Sequence, residues 1–126
     1  MSKTAVTILR LRERATLDWL VSTFGFTVSE VTPPEGDELH HAQLTYGTSV
    51  LMASATGGRL DQAPGYASVY LTLETDAEVD AVFAKAIAAG AASVLPPEDM
   101  PYGGRNATVR DPDGNTWSVG SYQPSV

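Results

Sequence analysis

Apolar and polar positions along this chain change period several times, and each change predicts an element. Residues 4–11 form a β-branched, strand-like run. Leu17, Leu20, Val21 and Phe24 then recur at i, i+3, i+4 and i+7, which lines one face of a helix. Gly25 stands where that helix would be capped. Residues 26–32 read as a strand, and Pro33-Pro34-Glu35-Gly36-Asp37 as a loop. Residues 38–46 and 49–54 predict a hairpin around Gly47-Thr48. The same order then returns. Residues 67–73 alternate strictly, with Val69, Leu71 and Leu73 on one face and Ser68, Tyr70 and Thr72 on the other. Thr75 and Glu78 have capping-box spacing, and Val79, Val82, Phe83, Ala86 and Ile87 make a second amphipathic helix closed by Gly90. A strand at 92–95, a Pro-rich loop at 96–104, and a hairpin of 105–110 with 116–122 around Asp111-Pro112-Asp113-Gly114 complete the chain.

Each half is therefore β-α-β-β-β, with module one at residues 1–55, a linker of flexible composition at 55–65, and module two at 66–126. What repeats is the order of elements, not the residues themselves. The final turn has its own physics: Pro112 presets φ, Asp111 can accept from nearby N–H groups, and Gly114 tolerates positive φ. It sets the register of the last strand.

A chain of 126 residues, 43% hydrophobic and 18% charged, is expected to form one compact domain with a real core. The formal charge of −7 and the thin scatter of eight Lys and Arg argue against nucleic acid, whose phosphates require a basic stripe. Arg10, Arg12 and Arg14 are read as strand-end and loop residues. No apolar run reaches the roughly 20 residues that span a bilayer, so no membrane partner is expected. The first residues lead into a strand without a signal-peptide core, which makes the cytoplasm the expected location. With no cysteine, disulfides, thiol nucleophiles and cysteine-ligated zinc are excluded. There is no P-loop, no G-x-G-x-x-G and no G-x-S-x-G elbow.

The ordered pieces Phe24-Gly25-Phe26, Ala88-Ala89-Gly90-Ala91, the loop from Pro96 to Gly104 and Arg110-Asp111-Pro112-Asp113-Gly114-Asn115-Thr116-Trp117 together resemble the vicinal-oxygen-chelate superfamily of glyoxalases, bleomycin-resistance proteins and extradiol dioxygenases. The resemblance implies an α+β fold in which two βαβββ modules form a curved half-barrel sheet with a cavity. In metal-using relatives, His, Gln and Glu on the first and last strands of each module hold a divalent ion. Here those positions fall on Val6 or its neighbours, Leu51 or Met52, Ser68 and Ser118, so no metal and no other cofactor is expected. His40 and His41, the only histidines, are adjacent on a strand and point to opposite faces.

Period two assigns a cavity lining. On the first strand Val6, Ile8 and Arg10 face inward; on the third, His41, Gln43 and Thr45; in module two, Ser68, Tyr70, Thr72, Thr116 and Ser118. Met100 and Tyr102 are placed on a lid loop, and Arg105 and Asn106 are available to an anionic group. The candidate ligand-binding set is thus His41, Gln43, Ser68, Tyr70, Met100, Tyr102, Arg105, Asn106 and Ser118. Trp117 and Val119 turn toward the helix-covered core. Hydroxyls and one amide over apolar walls suit a small, partly aromatic organic molecule. By the resemblance, the expected function is metal-free binding or sequestration of such a molecule by a homodimer. The alternatives are a glyoxalase- or dioxygenase-like enzyme with unusual metal ligands, and a metal-free isomerase-type enzyme using His41 or Tyr70.

Overall fold

The structure is a computed structural model that describes residues 5–55, 65 and 67–124. It divides into two compact units, Met1–Ala67 and Ser68–Val126. The central part of the expected linker, residues 56–64, and the start of the first expected strand lie outside the described residues.

Unit one contains β1 (Ile8–Leu11), α1 (Arg14–Phe24), β2 (Thr27–Thr32), β3 (His41–Tyr46) and β4 (Ser49–Ala55). Its sheet runs β1-β4-β3-β2, with β1 parallel to β4 and the other pairs antiparallel. Leu9 and Leu11 on β1, Ala42 and Leu44 on β3, Ala53 on β4, and Leu17 and Leu20 on α1 are buried as its core. Gly25 takes the left-handed cap conformation, and its N–H donates to Val21 O at 3.0 Å. Arg14 proves to be the first residue of α1, not a loop residue. Its guanidinium donates to the carbonyls of Pro33, Pro34 and Glu38 and ties the loop after β2 to the helix start.

Unit two repeats the order with β5 (Ser68–Thr72), α2 (Asp76–Ala88), β6 (Ala92–Asp99), β7 (Arg105–Arg110) and β8 (Thr116–Gly120), in a sheet β5-β8-β7-β6. β5 and β8 are parallel; β8–β7 and β7–β6 are antiparallel. Both sheets are open. Thr75 caps α2 as expected: its Oγ1 accepts from Glu78 N at 3.2 Å. Of the predicted apolar face, Val79 and Ala86 are fully buried, whereas Ile87 is exposed.

The Pro-rich segment departs from expectation. Residues 96–99 continue β6 and do not form a loop. β6 is an edge strand, and its register shifts between Ser93 and Leu95 and again between Leu95 and Glu98. Proline removes a ladder donor, and an edge with bulges is where a sheet tolerates that. Only Met100 to Gly104 remains as a turn, closed by Met100 N to Gly104 O at 2.8 Å and Gly103 N to Met100 O at 3.0 Å.

The turn before β8 is built around one buried carboxylate. Asp111 Oδ1 accepts from Asp113 N (2.8 Å) and Asn115 N (3.1 Å), while Oδ2 accepts from the Trp117 indole at 2.8 Å. Trp117 is fully buried, so this is the partner its N–H requires.

Candidate functional site

In unit two the sheet has a helix-covered face and an opposite, polar face. Leu71, Ala107, Val109, Trp117 and Val119 are buried on the first, the side on which α2 packs over β6, β7 and β8. Register fixes the second. Ser68 lies opposite Thr116, and Thr116 opposite Arg110; Tyr70 lies opposite Ser118, Ser118 opposite Thr108; Thr72 lies opposite Gly120, and Gly120 opposite Asn106. Directly paired residues share a face, so these strands present rows of hydroxyls, a tyrosine and an amide.

Those groups are partly tied to each other. The hydroxyls of Thr108 and Ser118 are 2.8 Å apart and hydrogen-bonded. Tyr70 Oη donates to the Tyr122 carbonyl at 2.7 Å, just beyond β8. The rings of Tyr102 and Tyr122 meet edge to face, with centroids 5.1 Å apart. All three tyrosines remain exposed, Tyr102 most of all at 61%. Burial, with the neighbouring Tyr102, pushes the Tyr70 phenol above its ordinary value. Asn106 Oδ1 is buried and has no hydrogen-bond donor among the described residues.

Arg105 is placed differently from its expected role. Its Nε donates to Asp80 on α2 at 2.9 Å and its Nη1 to Asp99 at 3.1 Å. These two carboxylates hold the guanidinium charged and raise its pKa. A cation engaged twice in this way fastens β7 to α2 and to the end of β6. Met100 is half-buried at the start of the short turn that carries Tyr102.

In unit one, His41 and Gln43 are half-buried and share one face of β3, while Ala42 and Leu44 are buried on the other. His41 lies opposite Ser54 and Thr32; Gln43 lies opposite Met52 and Glu30. Ile8 and Val50 on this sheet are exposed, as is Val6 before it. Arg10, expected among them, is buried at 3% exposure. His40 is exposed, with Glu38 3.6 Å away.

At the positions where metal-using relatives carry ligands, β1, β4, β5 and β8 together contain no His, Asp, Glu or Gln. Ser118 Oγ is engaged with Thr108, and Ser68 is a neutral hydroxyl. This donor set does not fit a divalent ion. Among the described residues no group of three or more His, Asp or Glu is arranged to hold one.

Of the residues expected to bind ligand, Ser68, Tyr70, Asn106 and Ser118 lie on this face of the sheet and Tyr102 on the turn before β7; Gly120 and Tyr122, beside Tyr70, are not among them. Counting by two from Ser118 reaches Gly120 at the end of β8 and then Tyr122 just beyond it.

The sequence profile of the Glyoxalase/Bleomycin resistance protein/Dioxygenase superfamily matches residues 12–119. The chain belongs to this superfamily. An uncharacterized protein of Mycobacterium bovis is 31% identical over 110 residues, which span 82% of this chain and 72% of that protein. An uncharacterized protein of Mycobacterium tuberculosis is likewise 31% identical over 110 residues, and there the chain spans only 65% of the relative. Among solved structures, TioX from Micromonospora sp. ML1 superposes with a TM-score of 0.79 at 31% identity, covering 97% of this chain and all of TioX. Lactoylglutathione lyase from Agrobacterium tumefaciens superposes with a TM-score of 0.69 at 18% identity, covering 94% of each chain, and shares the fold alone. Among the described residues no helix is long and apolar enough to cross a membrane.

Proposed function

We propose that this superfamily member binds a small, partly aromatic organic molecule without a metal, on the polar face of the module-two sheet. The observation that carries this reading is the exposed tyrosine group, Tyr70, Tyr102 and Tyr122, beside a row of hydroxyls and the unpaired Asn106 oxygen. Tyrosine rings supply stacking area at low conformational cost, and a few fixed polar groups supply orientation. Asn106 Oδ1 is closed off from solvent in the ligand-free protein; a ligand that displaces its cover and brings an N–H or O–H donor satisfies an acceptor that is otherwise costly to bury. Sequestration by binding alone needs no acid–base residue. That agrees with a Tyr70 phenol that keeps its proton and bonds it to the Tyr122 carbonyl. His41 and Gln43 give module one a polar sheet face of its own, and a homodimer in the cytoplasm is the expected working form.

The test is a thermal-melting panel on metal-free protein. Nickel, zinc, manganese and iron(II) are added singly, then bleomycin, a phenazine and a naphthoquinone. A compound that binds only the native state raises the melting point, by about 2.7 kcal/mol of added stability at a hundredfold excess over Kd. A shift with an aromatic compound and none with metals is the expected result. Stoichiometric metal uptake with a matching shift would overturn the metal-free reading.

A further inference from the structure

We propose that Gly120 sets the shape of the module-two tyrosine site and thereby determines which aromatic molecules it admits; this rests on the binding function proposed above. Gly120 is a strand residue without positive φ, so its backbone makes no demand for glycine. In a strand interior glycine is a cost unless another group needs the space. Here that group is the ring of Tyr70. A Cβ on residue 120 would clash with Tyr70 Oη and stand 2.7 Å from Cε1 and 2.9 Å from Cζ. Tyr70 springs from β5 opposite Ser118, leans along the sheet and lies in the volume that a side chain at 120 would fill.

Two contacts depend on that position. With the ring against Gly120, the Tyr70 hydroxyl donates to the Tyr122 carbonyl at 2.7 Å. Tyr122 in turn holds its edge-to-face contact with Tyr102. The segment after β8 is further fastened by Gln123 Nε2 to Leu73 O at 3.0 Å and by Ser121 N to Arg105 O at 3.1 Å. The turn residue Gly104 approaches this segment so closely that a Cβ there would meet Ser121 Oγ and Tyr122 N, each at 2.9 Å. The absence of one side chain at 120 therefore preforms an aromatic wall of Tyr102 and Tyr122 for flat molecules. A side chain at 120 lifts Tyr70, releases Tyr122, and leaves Tyr102 without its partner.

The experiment is a double-mutant cycle of Gly120→Ala and Tyr70→Ala, with Tyr70→Phe as a third variant. Near-UV circular dichroism and hydrogen exchange over residues 121–123 are read on the ligand-free protein, and phenazine-1-carboxylate is titrated as the probe. Gly120→Ala is expected to keep its far-UV spectrum, lose tyrosine near-UV signal, exchange about tenfold faster over 121–123 and bind the probe at least about tenfold more weakly; in the Tyr70→Ala background it should change nothing further. Tyr70→Phe keeps the ring and should show only the faster exchange. Equal effects of Gly120→Ala with and without Tyr70, or unchanged exchange in Gly120→Ala, overturn the proposal. So does full probe affinity in that variant. Should Gly120→Ala not fold, Tyr70→Ala decides, since unchanged exchange over 121–123 is equally fatal. A wild-type protein that binds neither this probe nor the melting panel defeats the binding function, while spectra and exchange still decide whether Gly120 positions Tyr70.

Discussion

The two modules share an element order and almost nothing in how their ends are tied. In module one, Glu13 precedes α1 without a side-chain cap, and the first turn of that helix has no acidic residue. Its loop after β2 is instead stapled from a distance by Arg14. In module two, Thr75 caps α2, Asp76 and Glu78 lie in its first turn, and Lys85 lies in its last, all favourable to the helix dipole. Its final turn is organised by Asp111, and its strands are joined to the helix through Arg105. Sheet order is what the duplicated plan preserves; local fastening is free to diverge. Among the described residues, the exposed tyrosines Tyr70, Tyr102 and Tyr122 lie in the module whose helix is capped and whose final turn is organised by Asp111.

Removing Asp111 is the most damaging way to challenge this contrast. Asp111→Ala strands the buried Trp117 N–H and two turn N–H groups without an acceptor. The expected loss is about 3 kcal/mol, read from the urea midpoint at constant m. A loss under about 1 kcal/mol would mean that the turn is not the keystone of module two.

The same carboxylate gives a pH signature. Burial pushes its pKa up, opposed by the Trp117, Asp113 and Asn115 hydrogen bonds and assisted by the Asp113 charge. A carboxylate raised in the folded state binds its proton more tightly folded than unfolded. Its contribution is therefore full below the unfolded value, about 4, and is lost as pH rises through the folded one. Stability should fall across that window in the wild type, relative to Asp111→Asn, and then level off. Urea titrations at several pH values check the sign, and a difference that grows the other way would rule out a raised pKa.

In module one the corresponding test is Arg14→Ala. Three carbonyl contacts at 2.6, 3.0 and 3.2 Å are lost, but two of them are exposed and water replaces the guanidinium there. About 1–2 kcal/mol of destabilisation is expected, with faster amide exchange confined to residues 33–40. Unchanged exchange over residues 33–40 would rule out this role for Arg14.

Much of this fold is written in local pattern. The period-two run at Ser68 to Leu73, the 3.6-residue spacing from Leu17 to Phe24, and the cap residues Gly25 and Thr75 each carry their own physical reason and lie where they predict. The Pro96-Pro97 stretch does not, because a proline pair reads as a loop unless the strand is known to be an edge, and edge position is a property of the assembled sheet. The ion pairs of Arg105 were hidden for a related reason: nothing local to Gly104-Arg105-Asn106 places Asp80, 25 residues earlier, within 2.9 Å. Gly120 was invisible because its meaning depends on Tyr70, a cross-strand neighbour.

The smallest expected effect on stability is the sharpest test of which module holds the site. Asn106 has a buried Oδ1 with no donor among the described residues. Replacing an unsatisfied acceptor by an apolar group of similar branching removes a desolvation cost and no hydrogen bond. Asn106→Leu should therefore unfold within about 0.5 kcal/mol of the wild type, or above it, in contrast to Asp111→Ala on the same sheet. Its effect should appear only with ligand. A molecule whose N–H or O–H meets Oδ1 loses that bond and leaves its own donor buried, which weakens binding by about tenfold or more. The matched comparison is Gln43→Leu on the module-one sheet, titrated with the same compound. If Gln43→Leu weakens binding and Asn106→Leu does not, the recognising amide lies on β3, and the site belongs to the other module.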